Sequence, residues 1–112
     1  MSEAPVLDAA VLDDLIEHIG AEAAHGVIEL FIGECRELTA AMAAPGAGRA
    51  AIGRAAHSLK SSAGQLGAVA LSEAALAVET AADAAAPGLP ELVAVLARHA
   101  VQTETALAAR LA

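Results

Sequence analysis

Aromatic side chains are almost missing from this 112-residue chain, in which Phe31 is the one member of the Phe, Trp and Tyr group. Strands draw on aromatic and β-branched residues, whereas the 57% apolar content here is carried mostly by alanine, with leucine behind it. The shortage therefore argues against a β fold and for helices. Cysteine is nearly absent too. A lone Cys35 excludes an internal disulfide and any multi-cysteine metal site, and it fits a reducing, cytoplasmic setting. Cations are scarce: 6 Lys and Arg stand against 14 Asp and Glu, for a net charge of −8. Such a field repels phosphodiester backbones and anionic lipid headgroups, so neither nucleic acid nor a membrane is an expected partner. Met1-Ser2-Glu3-Ala4-Pro5 lacks the basic and apolar regions of a signal peptide. Nor does any window of about 18 residues run free of charge, Pro and Gly, as a spanning helix requires.

What is present is helical periodicity. After residues 1–7, expected to be a flexible N-terminus, Asp8 can cap a short helix carrying Val11, Leu12, Leu15, Ile16 and Ile19 at helical spacing, with Gly20 ending it. A longer pattern from about Ala21 to Ala43 lines up Ala24, Val27, Ile28, Phe31, Cys35, Leu38 and Met42 on one stripe. Pro45-Gly46-Ala47-Gly48 predicts a tight reversal. A third helix, about Gly48 to Leu66, turns Ile52, Ala55, Ala56, Leu59, Ala63 and Leu66 inward and is closed by Gly67. A fourth, about Ala68 to Ala86, turns in Leu71, Ala74, Ala75, Val78 and Ala82, with Leu76 also read as core. After Pro87-Gly88, Pro90 fits the first turn of a last helix whose Leu92, Val93, Leu96, Ala100, Thr103, Leu107 and Leu111 face inward. The expected fold is all-α: an up-down-up-down four-helix bundle preceded by a short N-terminal helix, forming one domain over residues 1–112.

One stretch of the third helix does not read as scaffold. In Ala56-His57-Ser58-Leu59-Lys60-Ser61-Ser62-Ala63-Gly64, the helical turn of about 100° per residue puts Leu59 and Ala63 on the core stripe and His57, Lys60, Ser61 and Gly64 on another. His57 thus points to solvent. Gly53, Ser61 and Gly64 on its side are small enough to let a macromolecule come close, although a glycine inside a helix costs roughly 1 kcal/mol against alanine. Arg54 and Lys60, one turn away in each direction, create a local positive spot that favours an anion arriving at a free ring nitrogen. An uncrowded imidazole of this kind suits transient capture of a phosphoryl group. His18, His25 and His99 lack such surroundings and are read as solvated or structural. No second ligand stands at i+3 or i+4 from His57, so no metal site is expected. Ser58, Ser61 and Ser62 have neither a G-x-S-x-G elbow nor an Asp to complete a triad, and Cys35 sits on the core stripe.

The run Ala56-His57-Ser58-Leu59-Lys60-Ser61-Ser62-Ala63 with Leu66-Gly67-Ala68, followed by Leu71 and Val78-Glu79, resembles the signature of histidine phosphotransfer (HPt) domains of bacterial multistep phosphorelays. The resemblance implies a carrier in which His57 takes a phosphoryl group from an aspartate of one receiver domain and passes it to an aspartate of another. It implies that Lys60 lies beside the phosphoryl group, and that Glu79, on the next helix, hydrogen-bonds the imidazole and fixes its tautomer. Ser61 departs from the family's usual glycine; its hydroxyl narrows the approach and can bond a phosphoryl oxygen.

The expected protein is a cytoplasmic, monomeric carrier between the receiver domain of a hybrid histidine kinase and that of a response regulator, with Arg54, Ser61 and Gly64 contacting the partner. It carries no ATP-binding glycine motif and is not itself expected to be an enzyme or to hold a cofactor; the Mg²⁺ of the reaction belongs to the partner receiver. The competing reading is a helical interaction or dimerisation module that is never phosphorylated.

Overall fold

Helix-forming composition and well-placed caps produce five helices in the computed structural model, which describes residues 4–111: α1 (Ala9–Ile19), α2 (Ala21–Ala43), α3 (Arg49–Gln65), α4 (Val69–Asp83) and α5 (Leu89–Leu111). Asp8 caps α1 as expected, its Oδ1 accepting from Ala10 N at 3.1 Å. Gly20, at φ +87°, ends α1 and begins α2. The reversal after α2 closes through a bond from Ala47 N to Ala44 O at 3.1 Å, with Gly46 at φ +79°. The α3–α4 turn is a Schellman closure in which Ala68 N donates to Ala63 O at 2.9 Å and Gly67 N to Gly64 O at 3.2 Å, with Gly67 at φ +75°.

α2 packs on α3, α3 on α4, α4 on α5 and α5 back on α2, which closes the four-helix ring in up-down-up-down order. α1 lies against α2. Leu59, Leu71, Leu96 and Leu107 are wholly buried, each stabilising the fold by roughly 1.5–3 kcal/mol. The most extensive pairing is α3 with α4, whose buried positions are largely alanine: Ala56, Ala63, Ala75 and Ala82. Small side chains bring these two helix axes close. The site depends on that proximity.

Three expectations about packing are corrected. Of the α1 stripe only Leu12 is buried, while Ile16 and Ile19 remain exposed, because a single helix laid on one neighbour covers only a narrow face. Val27 and Leu76 are likewise exposed, and Ala70 and Ala81 are core instead. α4 also stops at Asp83, three residues short of the periodic pattern. There Ala85 adopts φ +54° and Ala86 N bonds Ala81 O at 2.9 Å, so a second Schellman-type closure ends the helix without a glycine.

Of the stretch expected to be flexible, residues 1–3 lie outside the described residues. Pro5 and Leu7 are held: Pro5 O accepts from Ala70 N at 3.0 Å, and Leu7 packs against the core. Asp8 N donates to Gly67 O at 2.7 Å, so the chain entering α1 is anchored on the α3–α4 turn. Arg36 of α2 pairs with Glu104 of α5, and Arg110 of α5 with Asp13 of α1 at 2.8 Å. Cys35 is buried, its thiol pushed up to about 11 chiefly by desolvation, and is an inert part of the core.

Candidate functional site

The inward stripe of α3, Ile52, Ala56, Leu59 and Ala63, is buried as its period requires, and this rotates His57, Ser61 and Gly64 to the surface. His57 keeps 61% of its side-chain surface exposed. The short turn at Gly67 brings α4 back antiparallel alongside α3, placing Glu79 opposite His57. Glu79 Oε2 lies 2.6 Å from His57 Nδ1, and Glu79 Oε1 lies 2.8 Å from Lys60 Nζ. An ionised carboxylate can only accept, so Nδ1 carries the hydrogen and donates it. In the neutral imidazole Nε2 is then the ring nitrogen with a free lone pair, on the exposed side chain. A further tie, Ser72 Oγ donating to Lys60 O at 3.0 Å, fixes α3 and α4 in register beside this pair.

The charge pattern differs from the sequence expectation in one respect. Lys60 does not stand as a free cation next to His57, because the Glu79 carboxylate bridges the two and offsets its charge. The Lys60 ammonium, and then the His57 imidazole, hold the Glu79 carboxyl below the ordinary carboxylate range. Arg54 does flank the site. It lines a groove of about 600 Å³ with Arg49, Gly53, His57, Glu79 and Asp83. Arg49 and Asp83 extend the groove beyond the expected site residues, and the sequence carries a signal for both: positions 49, 53, 57 and 61 share one helical stripe at steps of four, and Asp83 stands four residues after Glu79.

The glycines beside His57 serve different ends. A Cβ on Gly53 would lie 3.4 Å from Ala82 Cβ, at the edge of ordinary contact with α4, so this glycine faces the neighbouring helix. A Cβ on Gly64 would meet only Ser72 Oγ, at 3.7 Å, leaving that position open to a partner. Ser61 is exposed one turn beyond His57. The remaining histidines are placed differently: His18 Nδ1 is 2.7 Å from Asp14 O, His25 Nε2 is 2.5 Å from Glu29 Oε1, and His99 Nδ1 is buried. Among the described residues no three His, Cys, Asp or Glu side chains converge as metal ligands would. Among them, too, no helix is long and apolar enough to cross a membrane.

The carboxylates give a pH signature. Glu104, paired with Arg36, is held low for the same reason as Glu79. Because the folded-state value lies below the ordinary 4.5, the stabilising contribution is complete above 4.5 and is lost as pH falls through the depressed value. Thermal melts of the parent chain and Glu104→Gln are therefore expected to differ most near neutrality and to converge as pH falls from 4.5 through the depressed value. A Tm gap that persists unchanged in acid would contradict this.

A surface imidazole whose Nδ1 is fixed by a carboxylate, with a lysine on the same carboxylate and a helical ring behind it, defines a histidine-presenting bundle suited to carrying an electrophilic group. The family model described as "Hpt domain" matches residues 26–111. The chain belongs to the Hpt domain family and is a phosphotransfer carrier of phosphorelays. Among solved structures, it is similar to the crystal structure of histidine-containing phosphotransfer protein B (HptB) from Pseudomonas aeruginosa PAO1, with a TM-score of 0.88 and 25% sequence identity over 97% of this chain and 96% of that one. No curated protein matches this sequence. The all-α bundle and the family resemblance expected from sequence are thereby shown.

Proposed function

We propose that His57 is the phosphoacceptor of this carrier and that Nε2 is the bonding atom. The observation that carries this is the contact between Glu79 Oε2 and His57 Nδ1, which commits the exposed imidazole to the tautomer with a nucleophilic Nε2. In the forward step the Nε2 lone pair attacks the phosphorus of a receiver aspartyl phosphate, the P–O bond breaks, and its electron pair returns to the aspartate. In the second step an aspartate oxygen of the next receiver attacks, the P–N bond breaks, and its pair returns to Nε2. The donor is the receiver domain of a hybrid histidine kinase and the final acceptor that of a response regulator. Each receiver brings its own Mg²⁺, which supplies most of the catalysis, so this chain needs no cofactor and acts as a monomer in the cytoplasm.

Lys60, one helical turn from His57 and held by the other oxygen of the carboxylate that bonds the imidazole, places its charge beside a phosphoryl group on Nε2. Arg54 and Arg49 line the groove opposite the carboxylates of Glu79 and Asp83, and it is their guanidinium groups that an acidic receiver pocket complements. Ser61 and Gly64 lie on the contact surface. Ser61→Gly is expected to leave phosphotransfer intact, since the hydroxyl only narrows the approach; complete loss of transfer would show that Ser61 is required.

The test is transfer of radiolabelled phosphoryl from phosphorylated receiver domains of the source organism. Acid-labile, alkali-stable label on this chain is expected. A chain that acquires none from any receiver overturns the reading in favour of a non-phosphorylated interaction module, and light scattering that shows a dimer at micromolar concentration favours the dimerisation variant of it.

A further inference from the structure

Glu79 does more than orient a ring if its negative charge persists while the phosphoryl group is on His57. Phosphorylation at Nε2 uses that nitrogen's lone pair, so the fate of the group depends on whether Nδ1 keeps its proton. With Nδ1–H in place, cleavage of the P–N bond returns an electron pair to Nε2 and releases neutral imidazole. Without it, the leaving group is imidazolate, a far poorer one. Glu79 Oε2 stands 2.6 Å from Nδ1 and, as a carboxylate, attracts the proton electrostatically as well as through the hydrogen bond. A neutral amide at the same place would supply the hydrogen bond without the charge.

We infer that Glu79 sets the transfer potential and lifetime of the phosphohistidine, by holding the proton on Nδ1 so that His57 leaves as neutral imidazole. This rests on His57 being the phosphoacceptor. The other charges facing the ring are Arg49, Arg54 and Lys60 on α3 and Asp83 on α4. The arginines and the lysine oppose retention of the proton, whereas Asp83 favours it. Of these groups only Glu79 touches the imidazole, and it also holds Lys60 by its other oxygen. One carboxylate therefore promotes proton retention and restrains the nearest cation that opposes it. In hydrolysis the same proton counts: the zwitterionic phosphoimidazolium and water give neutral imidazole and dihydrogen phosphate, with atoms and charge balanced.

The residue acts through His57 and is a positioning residue, so its test needs a readout that mere misplacement would not move. The full chain is phosphorylated with phosphoramidate, a small-molecule donor that needs no receiver, and decay of the phosphohistidine signal absent from His57→Gln is followed by ³¹P NMR across pH. In Glu79→Gln the profile of decay rate against pH is expected to move to lower pH by about one unit or more, the effect of removing an opposite charge at contact distance. The phosphohistidine half-life near pH 8 is then expected to lengthen by about tenfold. The same shift should appear when Glu79→Gln is made in a Lys60→Met background, which excludes an effect of released Lys60. A profile that is unmoved, or moved only when Lys60 is present, overturns the inference while leaving the carrier reading intact. Failure of receivers to transfer to a chain that phosphoramidate does label at His57 overturns the carrier reading instead.

Discussion

His57→Gln is expected to abolish acid-labile phosphorylation of the chain, with no measurable change in helicity and little change in Tm. Glutamine approximates the reach of imidazole and can still hydrogen-bond the Glu79 carboxylate, but its amide nitrogen carries no basic lone pair. Nucleophilic attack on phosphorus is lost outright rather than slowed. The side chain it replaces is 61% exposed and contributes nothing to the buried face of α3, which is formed by Ile52, Ala56, Leu59 and Ala63. Surface substitutions of this kind stay within roughly 0.5 kcal/mol of the parent stability. The variant therefore separates chemistry from folding: circular dichroism and Tm report the bundle, and label transfer from a phosphorylated receiver reports the nitrogen. If His57→Gln accepts label as well as the parent chain, His57 is not the acceptor. His18, His25 and His99 supply internal controls, since replacing any of them by glutamine should leave the label on the chain.

How much of this was legible beforehand depends on the range over which each residue acts. Helix positions, the Asp8 cap, the Gly20 and Gly67 closures and the outward rotation of His57 follow from contacts within a turn or two, and local sequence encodes them. The side chains that Ile16, Ile19 and Leu76 leave exposed could not be recognised in that way. Periodicity specifies which face of a helix is apolar, but not whether a neighbour is present to cover it. The charge balance at the site is likewise a matter of register. Lys60 and Glu79 are 19 positions apart, and they meet because alanine-lined α3 and α4 pack closely and the Gly67 turn sets their alignment. Resemblance to the family pointed to Glu79 as a partner of the imidazole, yet nothing in the sequence showed that the same carboxylate would also hold the lysine. Arg49 lies two turns from His57 on the same stripe, beyond the one-turn range over which local spacing marks a neighbour.

Gly67→Ala is expected to be the most damaging single-methyl change in the chain, lowering stability by about 3 kcal/mol or more. Two independent costs combine at this residue. Its φ of +75° is a left-handed conformation that costs an L-residue with a Cβ roughly 1–2 kcal/mol. The added Cβ would also stand 2.9 Å from Asp8 O and 2.9 Å from Val11 Cβ, contacts that real Cβ atoms do not make. The first obstacle is backbone and cannot rotate aside, so the segment entering α1 must move, along with the bond from Asp8 N to Gly67 O. At about 4–8 °C per kcal/mol for domains near this size, the Tm should fall by about 12–24 °C or more. Gly67→Asn resolves the two costs: asparagine tolerates the left-handed region but carries the same Cβ, so a loss equal to that of alanine assigns the damage to the clash, and a smaller one assigns part of it to φ. A Tm for Gly67→Ala within about 2 °C of the parent would refute both. The consequence reaches the site, because this turn determines which residue of α4 stands opposite His57. A Gly67→Ala chain still folded at low temperature should lose the Glu79–His57 alignment before it loses helix, and phosphotransfer should decline at temperatures where circular dichroism is still native.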